Sequence, residues 1–198
     1  MAPRSPRKRT NRGHGITRHG RGRRNVTALT NCFSYAAHAC TVLGVDTASK
    51  SGFAIRRHGV LISSGEIDTK DRAAVAWVVQ RAAEVAAKSC TELIVVLESA
   101  WGGTRATLLG LGAARERWAS VLRELGLAKR RILSVMPTTW REPLGITGRR
   151  AQCRAMELAQ AQRETGLASI GPDEAAAIGI SRWAAHAARV ARVLKPRG

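Results

Sequence analysis

Thr41-Val-Leu-Gly-Val-Asp46-Thr-Ala-Ser-Lys50-Ser-Gly52-Phe-Ala-Ile-Arg-Arg57 is the stretch on which the fold turns. Thr41–Asp46 is an apolar run that ends on a carboxylate. The turn formers Ala48-Ser-Lys-Ser-Gly52 follow, and Gly52–Arg57 returns to strand-forming residues. His58-Gly59 makes a second tight turn before a third strand, Val60–Asp68. Two tight turns in succession predict an antiparallel meander.

Beyond the meander the period changes. Ala73–Ser89 is Ala-rich, with Val75, Val78, Val79 and Val85 at helical spacing. Leu93–Glu98 is apolar up to its last residue, as in a strand covered on both faces. The Gly-rich turn Trp101-Gly-Gly-Thr104 leads into a long helix ending near Gly126. Ile132–Val135 is a fifth strand stopped by Pro137. Arg149–Thr165 reads as a helix with Gly166 as its C-cap, and Pro172 opens a last helix to about Val190. Strands first as a meander, then alternating with helices, predict an α/β domain over residues 41–198 with a mixed five-stranded sheet flanked by helices.

The chain carries 33 Lys and Arg against 14 Asp and Glu, a net charge of +19. Such an excess speaks of partners, and nucleic acid leads. Residues 1–45 hold nine of the basic residues and no acid, so the body is basic in its own right. Residues 1–40 lack a hydrophobic period and read as a disordered basic tail: a DNA-contacting arm, a transit peptide or a neutral extension. Cys32, Cys40, Cys90 and Cys153 show no metal-type spacing and read as reduced thiols. No run is apolar enough to span a bilayer, so no membrane partner is expected. The expected setting is the cytoplasm of a bacterium or phage-infected cell, with the tail leaving organellar targeting open.

Against this basic background, carboxylates at the ends of buried elements need a reason. Asp46 and Glu98 end apolar strands, and Asp173 and Glu174 open the apolar stretch Ala175–Ile180. Each has a bland role available: a turn cap, an exposed strand end, a helix acid favoured by the macrodipole. Together they point to metal chemistry. Adjacent central strands would bring Asp46 and Glu98 together, and a helix start beside them would add a third carboxylate. Two metal ions about 3.5–4 Å apart need such a set for phosphoryl chemistry.

At these residues the chain resembles the RuvC-like Holliday junction resolvases, crossover junction endodeoxyribonucleases of the ribonuclease H-like fold. The resemblance runs from about Thr41 to Trp183. Leu43-Gly-Val-Asp-Thr-Ala-Ser-Lys-Ser-Gly-Phe-Ala54 is similar to the family's opening strand with its first metal-binding Asp. Val95-Val-Leu-Glu98 is similar to the second acidic motif, and Gly171-Pro-Asp-Glu-Ala-Ala-Ala-Ile-Gly-Ile180 to the terminal acidic helix. Val135-Met-Pro-Thr-Thr-Trp-Arg141, Leu144-Gly-Ile146 and the segment from Gly102 to Trp118 are most similar to bacteriophage-type members. The resemblance implies catalytic roles for Asp46, Glu98, Asp173 and Glu174. Asp46, Glu98 and Asp173 would hold two Mg²⁺ ions, with Mn²⁺ as a substitute.

One departure stands out. The family often has two acids three residues apart on the last helix, but Gly171 lies three before Glu174 and Ala176 three after Asp173. Helix neighbours sit about 100° apart, so both acids cannot face one site equally. Asp173 is taken as the main ligand and Glu174 as an auxiliary group. The opening hairpin also resembles that of actin-like ATPases, which need two such domains and a longer chain.

Lys50 and Arg105 follow the first two acidic strands, where substrate phosphates would pass. Arg141, Arg149 and Arg150 lie near positions where the resolvases use Lys, and Arg would supply bidentate phosphate contacts. Arg115, Arg117, Arg123, Lys129, Arg130 and Arg131 would extend a phosphate-tracking surface. Trp77, Trp118 and Trp183, on predicted helices, read as core or dimer contacts, and Trp101 as a nucleic-acid contact. His58 falls in a turn and His186 late in a helix. The resulting expectation is a Mg²⁺-dependent endonuclease acting on four-way or branched DNA, as a homodimer, and the resemblance implies that it leaves a 5′-phosphate. The alternatives are a ribonuclease H-fold nuclease on RNA–DNA hybrids or flaps, and a nucleic-acid-binding protein with a degenerate site.

Overall fold

A computed structural model of the protein describes residues 40–99 and 104–193. β1 (Cys40–Asp46), β2 (Lys50–Arg57) and β3 (Val60–Asp68) form the antiparallel meander. Then come α1 (Arg72–Lys88), β4 (Glu92–Glu98), α2 (Arg105–Glu124), β5 (Ile132–Val135), α3 (Pro137–Arg141), α4 (Arg150–Thr165) and α5 (Pro172–Val193). The sheet order is β3-β2-β1-β4-β5, with β4 parallel to β1 and β5 parallel to β4. This is the mixed five-stranded sheet expected from the sequence.

Local chemistry fixes the element ends. Asp71 caps α1 by accepting the Ala74 N–H at 3.0 Å, and Thr104 caps α2 by accepting that of Thr107 at 3.2 Å. Gly166 closes α4 at φ 72°, a left-handed conformation that favours glycine. Pro137 does more than end β5: it opens α3, because its fixed φ suits a first helical turn and its missing N–H is not needed there. Lys50 and Ser51 belong to β2, so the first turn is tighter than predicted. Cys40 already lies in β1, one residue before the predicted start of the strand. The expectations for the tail, for Cys32 and for Trp101 lie outside the described residues.

Strand alternation divides the core into two faces. Leu43, Val45, Val95 and Leu97 pack with Val78, Val79 and Trp118 under α1 and α2. Val42, Ile94 and Val96 pack on the other face with Trp140, Ile180 and Trp183 of α3 and α5. Trp77 is no core residue: it lies off the buried stripe of α1, is 55% exposed, and meets Phe53 edge-on with ring centroids 6.3 Å apart. Cys90 and Cys153 are thiols, as expected. Among the described residues no helix is long and apolar enough to cross a membrane.

The face under α5 is where the acids go. Counting in twos from Val42 leads through Gly44 to Asp46, and from Ile94 through Val96 to Glu98. α5 reaches these positions because the strands beneath it are glycine where it crosses. A Cβ at Gly44 would stand 2.7 Å from the Ser181 nitrogen and 2.8 Å from the Ala177 oxygen. A Cβ at Gly52 would collide with the Asp173 carbonyl. Close approach of helix and sheet, rather than turn geometry, requires both glycines.

Candidate active site

Asp46 and Glu98 end neighbouring parallel strands, one step beyond the Val45–Leu97 pair. Their carboxyl groups are close enough for the charge of one to act on the other. Burial, then the charge of Glu98, then that of Asp173 push the Asp46 carboxyl well above its usual range. Part of its surface stays accessible, yet its surroundings are crowded enough for desolvation to lead. The Thr47 hydroxyl donates to the Glu98 carbonyl at 2.7 Å and ties the two strand ends together.

Asp173 and Glu174 part company. Asp173 lies within the electrostatic reach of Asp46 and is itself raised by burial and by Glu66, against Arg154 and Lys50. Glu174 faces β3 instead, where its Oε1 accepts the Ser64 hydroxyl at 2.6 Å. The neutral slot at Gly171 also has a physical reason. The Glu66 carboxylate of β3 occupies the space a Cβ there would need, and its Oε1 accepts the Glu174 N–H at 3.4 Å. Burial pushes Glu66 up, but the Lys50 ammonium at 2.8 Å and the first backbone N–H groups of α5 outweigh it and hold the carboxyl low. A carboxylate from β3 therefore sits at the positive end of α5, where the macrodipole favours it.

Two residues of this site were not singled out from the sequence. Trp140 of α3 is fully buried and donates its indole N–H to Glu98 Oε1 at 2.8 Å. Glu157 of α4 is 3% exposed, raises Asp46, and is itself raised by burial against the pull of Arg141. Arg141 bridges the two acids: its Nε donates to Glu157 Oε1 at 2.5 Å and its Nη2 stands 4.0 Å from Glu98 Oε1. Its guanidinium also lies 4.8 Å from the centre of the Trp140 ring. Glu157 had a legible signal. Cys153, Glu157 and Ala161 recur every four residues as the buried stripe of α4, an acid where an apolar residue belongs.

The basic residues distribute unevenly. Lys50 is 70% exposed despite its pair with Glu66, and Arg105, Arg149 and Arg150 are exposed at helix starts. Arg141, predicted to contact phosphate, turns inward to Glu157 and Glu98. On the α2 side, Arg123 pairs with Glu116, Arg131 with Glu92 at 2.8 Å, and Arg117 reaches Thr69 at 3.4 Å. The phosphate-tracking surface predicted there is partly neutralised by these partners. His58 occupies its turn with φ 52°, and His186 is exposed.

The donor chemistry suits a hard divalent cation: Asp46, Glu98 and Asp173 offer carboxylate oxygens whose mutual repulsion a cation would relieve. Among the described residues no three His, Cys, Asp or Glu side chains stand together closely enough to hold an ion.

No protein-family model matches the chain, and no curated protein matches it in sequence. Solved structures do match. Thermus thermophilus RuvC in complex with Holliday junction substrate aligns at 15% identity over 76% of this chain and 94% of its own, with a TM-score of 0.51. Another Thermus thermophilus RuvC structure aligns at 14% identity over 76% and 95%, also at 0.51. The yeast mitochondrial Holliday junction resolvase Ydc2 aligns at 13% identity over 83% and 89%, with a TM-score of 0.43. The chain has the ribonuclease H-like fold in its RuvC-like form.

Proposed function

We propose that the protein is a Mg²⁺-dependent endonuclease that resolves four-way or branched DNA junctions. The observation that carries this reading is the Asp46–Glu98 carboxyl pair at adjoining strand ends, with Asp173 charged against it from the start of α5. The RuvC-like fold supports it, since one RuvC structure of that fold is bound to Holliday junction substrate. The positive body supports it too, because a polyanion must approach a cluster of carboxylates.

Asp46, Glu98 and Asp173 would hold the cation, with Mn²⁺ able to replace Mg²⁺. When bound, the metal would activate a water and neutralise charge building on the scissile phosphate, leaving a 5′-phosphate. The chain's own residues prepare that site. Trp140 fixes the orientation of Glu98, and Glu157 draws Arg141 toward itself, leaving Glu98 its charge for a ligand. The raised Asp46 carboxyl would have to give up its proton to bind a cation, so affinity should rise with pH. Lys50, Arg105, Arg149 and Arg150 are exposed and would take backbone phosphates, with Trp101 against the bases. Two symmetric cuts in a junction call for two sites, hence a homodimer. The setting would be cytoplasmic.

A panel of four-way junction, flap and RNA–DNA hybrid, each with Mg²⁺ or Mn²⁺, tests the proposal. Cleavage of the junction in preference to the others is the expected result. Preference for the hybrid would make this a ribonuclease H-type enzyme. Tight junction binding without cleavage would make it a binding protein, the outcome that the loose spacing of the acids would then explain.

A further inference from the structure

At the opposite end of the same sheet face lies a second, differently built site. Gly52 pairs with Asp46 but Arg56 pairs with Val42, so Arg56 is four residues further along β2, roughly 13 Å from the acids at about 3.3 Å per residue. There a cavity of about 720 Å³ opens between the β2–β3 turn, α4 and α5. That volume falls in the range of about 300–1,000 Å³ typical of ligand sites. Arg56, Arg163 of α4 and Arg182 of α5 are among the residues that line it.

Arg56 is unusual for a structural arginine. It is 3% exposed, and its Nη1 donates to the Gly59 carbonyl at 2.8 Å and forms an ion pair with Glu164 Oε1 at 2.5 Å. Its Nε reaches the Ser181 hydroxyl at 3.3 Å, but the buried Nη2 has no hydrogen-bond partner. A buried guanidinium N–H without an acceptor is costly, and native folds rarely leave one. Arg163 spends its Nε on the Ala159 carbonyl at 3.2 Å. Neither Arg163 nor Arg182 enters an ion pair with a described residue. Three arginines thus line one concave space that holds a single carboxylate, Glu164.

We infer that this cavity is an oxyanion site that takes a phosphate group through Arg56, Arg163 and Arg182. Arginine forks match phosphate geometry in pairs, and the orphan Nη2 supplies a donor that a phosphate oxygen would satisfy. Glu164 would yield part of its hold on Arg56 to the incoming anion. The phosphate belongs either to the DNA backbone, as an arm that passes the far pole of the sheet, or to a free phosphate-bearing molecule. The acids, roughly 13 Å away, play no part in this binding.

The test follows the Arg56 side-chain Nε–H by ¹⁵N NMR in the full chain while inorganic phosphate replaces chloride at constant ionic strength. A saturable shift of that signal is expected, and the Arg163→Gln/Arg182→Gln variant should weaken the fitted affinity at least tenfold. Both replaced side chains are exposed, so the circular dichroism spectrum should not change. Absence of saturation, or the same affinity in the variant, would overturn the assignment. Binding of a four-way junction by the same variant then separates the sources. A weaker complex with a shallower salt dependence assigns the phosphate to DNA. Unchanged junction binding beside lost phosphate binding assigns it to a free ligand. Neither readout depends on cleavage, so failure of the nuclease proposal would leave this result intact.

Discussion

Trp140 donates its indole N–H to the same Glu98 oxygen, Oε1, that Arg141 approaches, at 2.8 Å against 4.0 Å. The carboxylate is therefore held by a neutral, buried donor and only loosely by a charge. That choice keeps the negative charge of Glu98 available while fixing its direction. Outer partners of this kind typically govern metal affinity or activity by about 10–100-fold. Trp140→Phe retains most of the buried ring and removes the donor. The expected outcome is cleavage reduced within that range, with the Mg²⁺ concentration for half activity raised. An unchanged Mg²⁺ dependence, in a variant that unfolds cooperatively, would leave Trp140 a core residue and no more.

The metal-free protein should lose stability as the solution goes from mildly acidic to neutral. Asp46, Glu157 and Asp173 all have carboxyls raised in the folded state. A raised carboxyl favours folding fully below its unfolded value, and that contribution disappears as pH climbs through the folded value. Glu66 is lowered and acts the other way, helping above its unfolded value and failing as pH falls through the folded one. Above the ordinary carboxylate range, where Glu66 is ionised folded or unfolded, the three raised groups decide the sign. Asp46→Asn should abolish cleavage and raise the metal-free Tm near neutrality by at least about 2 °C, the effect of roughly 1 kcal/mol in a domain of this size. Mg²⁺ should stabilise the wild type and not the variant. A lower Tm for Asp46→Asn, measured by scanning calorimetry in chelator, would contradict the electrostatic account.

Glu157 gives a different kind of prediction, because it acts through Arg141. With its carboxylate at 2.5 Å, it holds the guanidinium away from Glu98. Glu157→Gln keeps the shape and removes the charge, leaving Glu98 the nearer anion for Arg141. An arginine paired with Glu98 competes with a cation there. The Mg²⁺ concentration for half activity should rise about tenfold, equivalent to roughly 1.4 kcal/mol and within the usual coupling between neighbouring charged groups. Adding Arg141→Gln should restore much of the Mg²⁺ response. If the double variant is no better than Glu157→Gln alone, Arg141 is not the intermediary.

The sequence carried the strands and the first two acids well because one physical rule governs both. Period-two alternation from Val42 and Ile94 places Asp46 and Glu98 on one face, and both runs break on the acid itself. The third strand and the fifth were legible to the residue because the His58-Gly59 turn and Pro137 punctuate them. Trp140 was harder. Its role depends on α3, a five-residue helix whose direction is set by Pro137 and by packing rather than by periodicity. The pairing of Glu66 with the start of α5 was out of reach, since 105 residues separate it from Gly171 and no local pattern links them. Long-range approaches of this type are set by glycine positions that only the folded chain explains.

The final pair of acids offers the sharpest test of the site. Asp173 is coupled electrostatically to Asp46, whereas Glu174 is occupied by the Ser64 hydroxyl at 2.6 Å. If Asp173 completes the metal site, Asp173→Asn should cost activity on the order of a hundredfold or more, close to the loss in Asp46→Asn. Glu174→Gln should cost much less, since an amide oxygen still accepts from Ser64 and the side chain turns away from the strand ends. Its effect should fall on stability, by about 1 kcal/mol for a weakened bond to a charged acceptor. Both variants should fold, because Glu66 continues to cap the first turn of α5. Single-turnover cleavage of a four-way junction across a Mg²⁺ titration ranks the two. Were Glu174→Gln the more damaging, the helix would have to rotate on binding DNA to exchange Ser64 for a metal. Were neither to matter, the two acids would serve the helix end alone, and the catalytic set would reduce to Asp46, Glu98 and whatever Glu157 contributes.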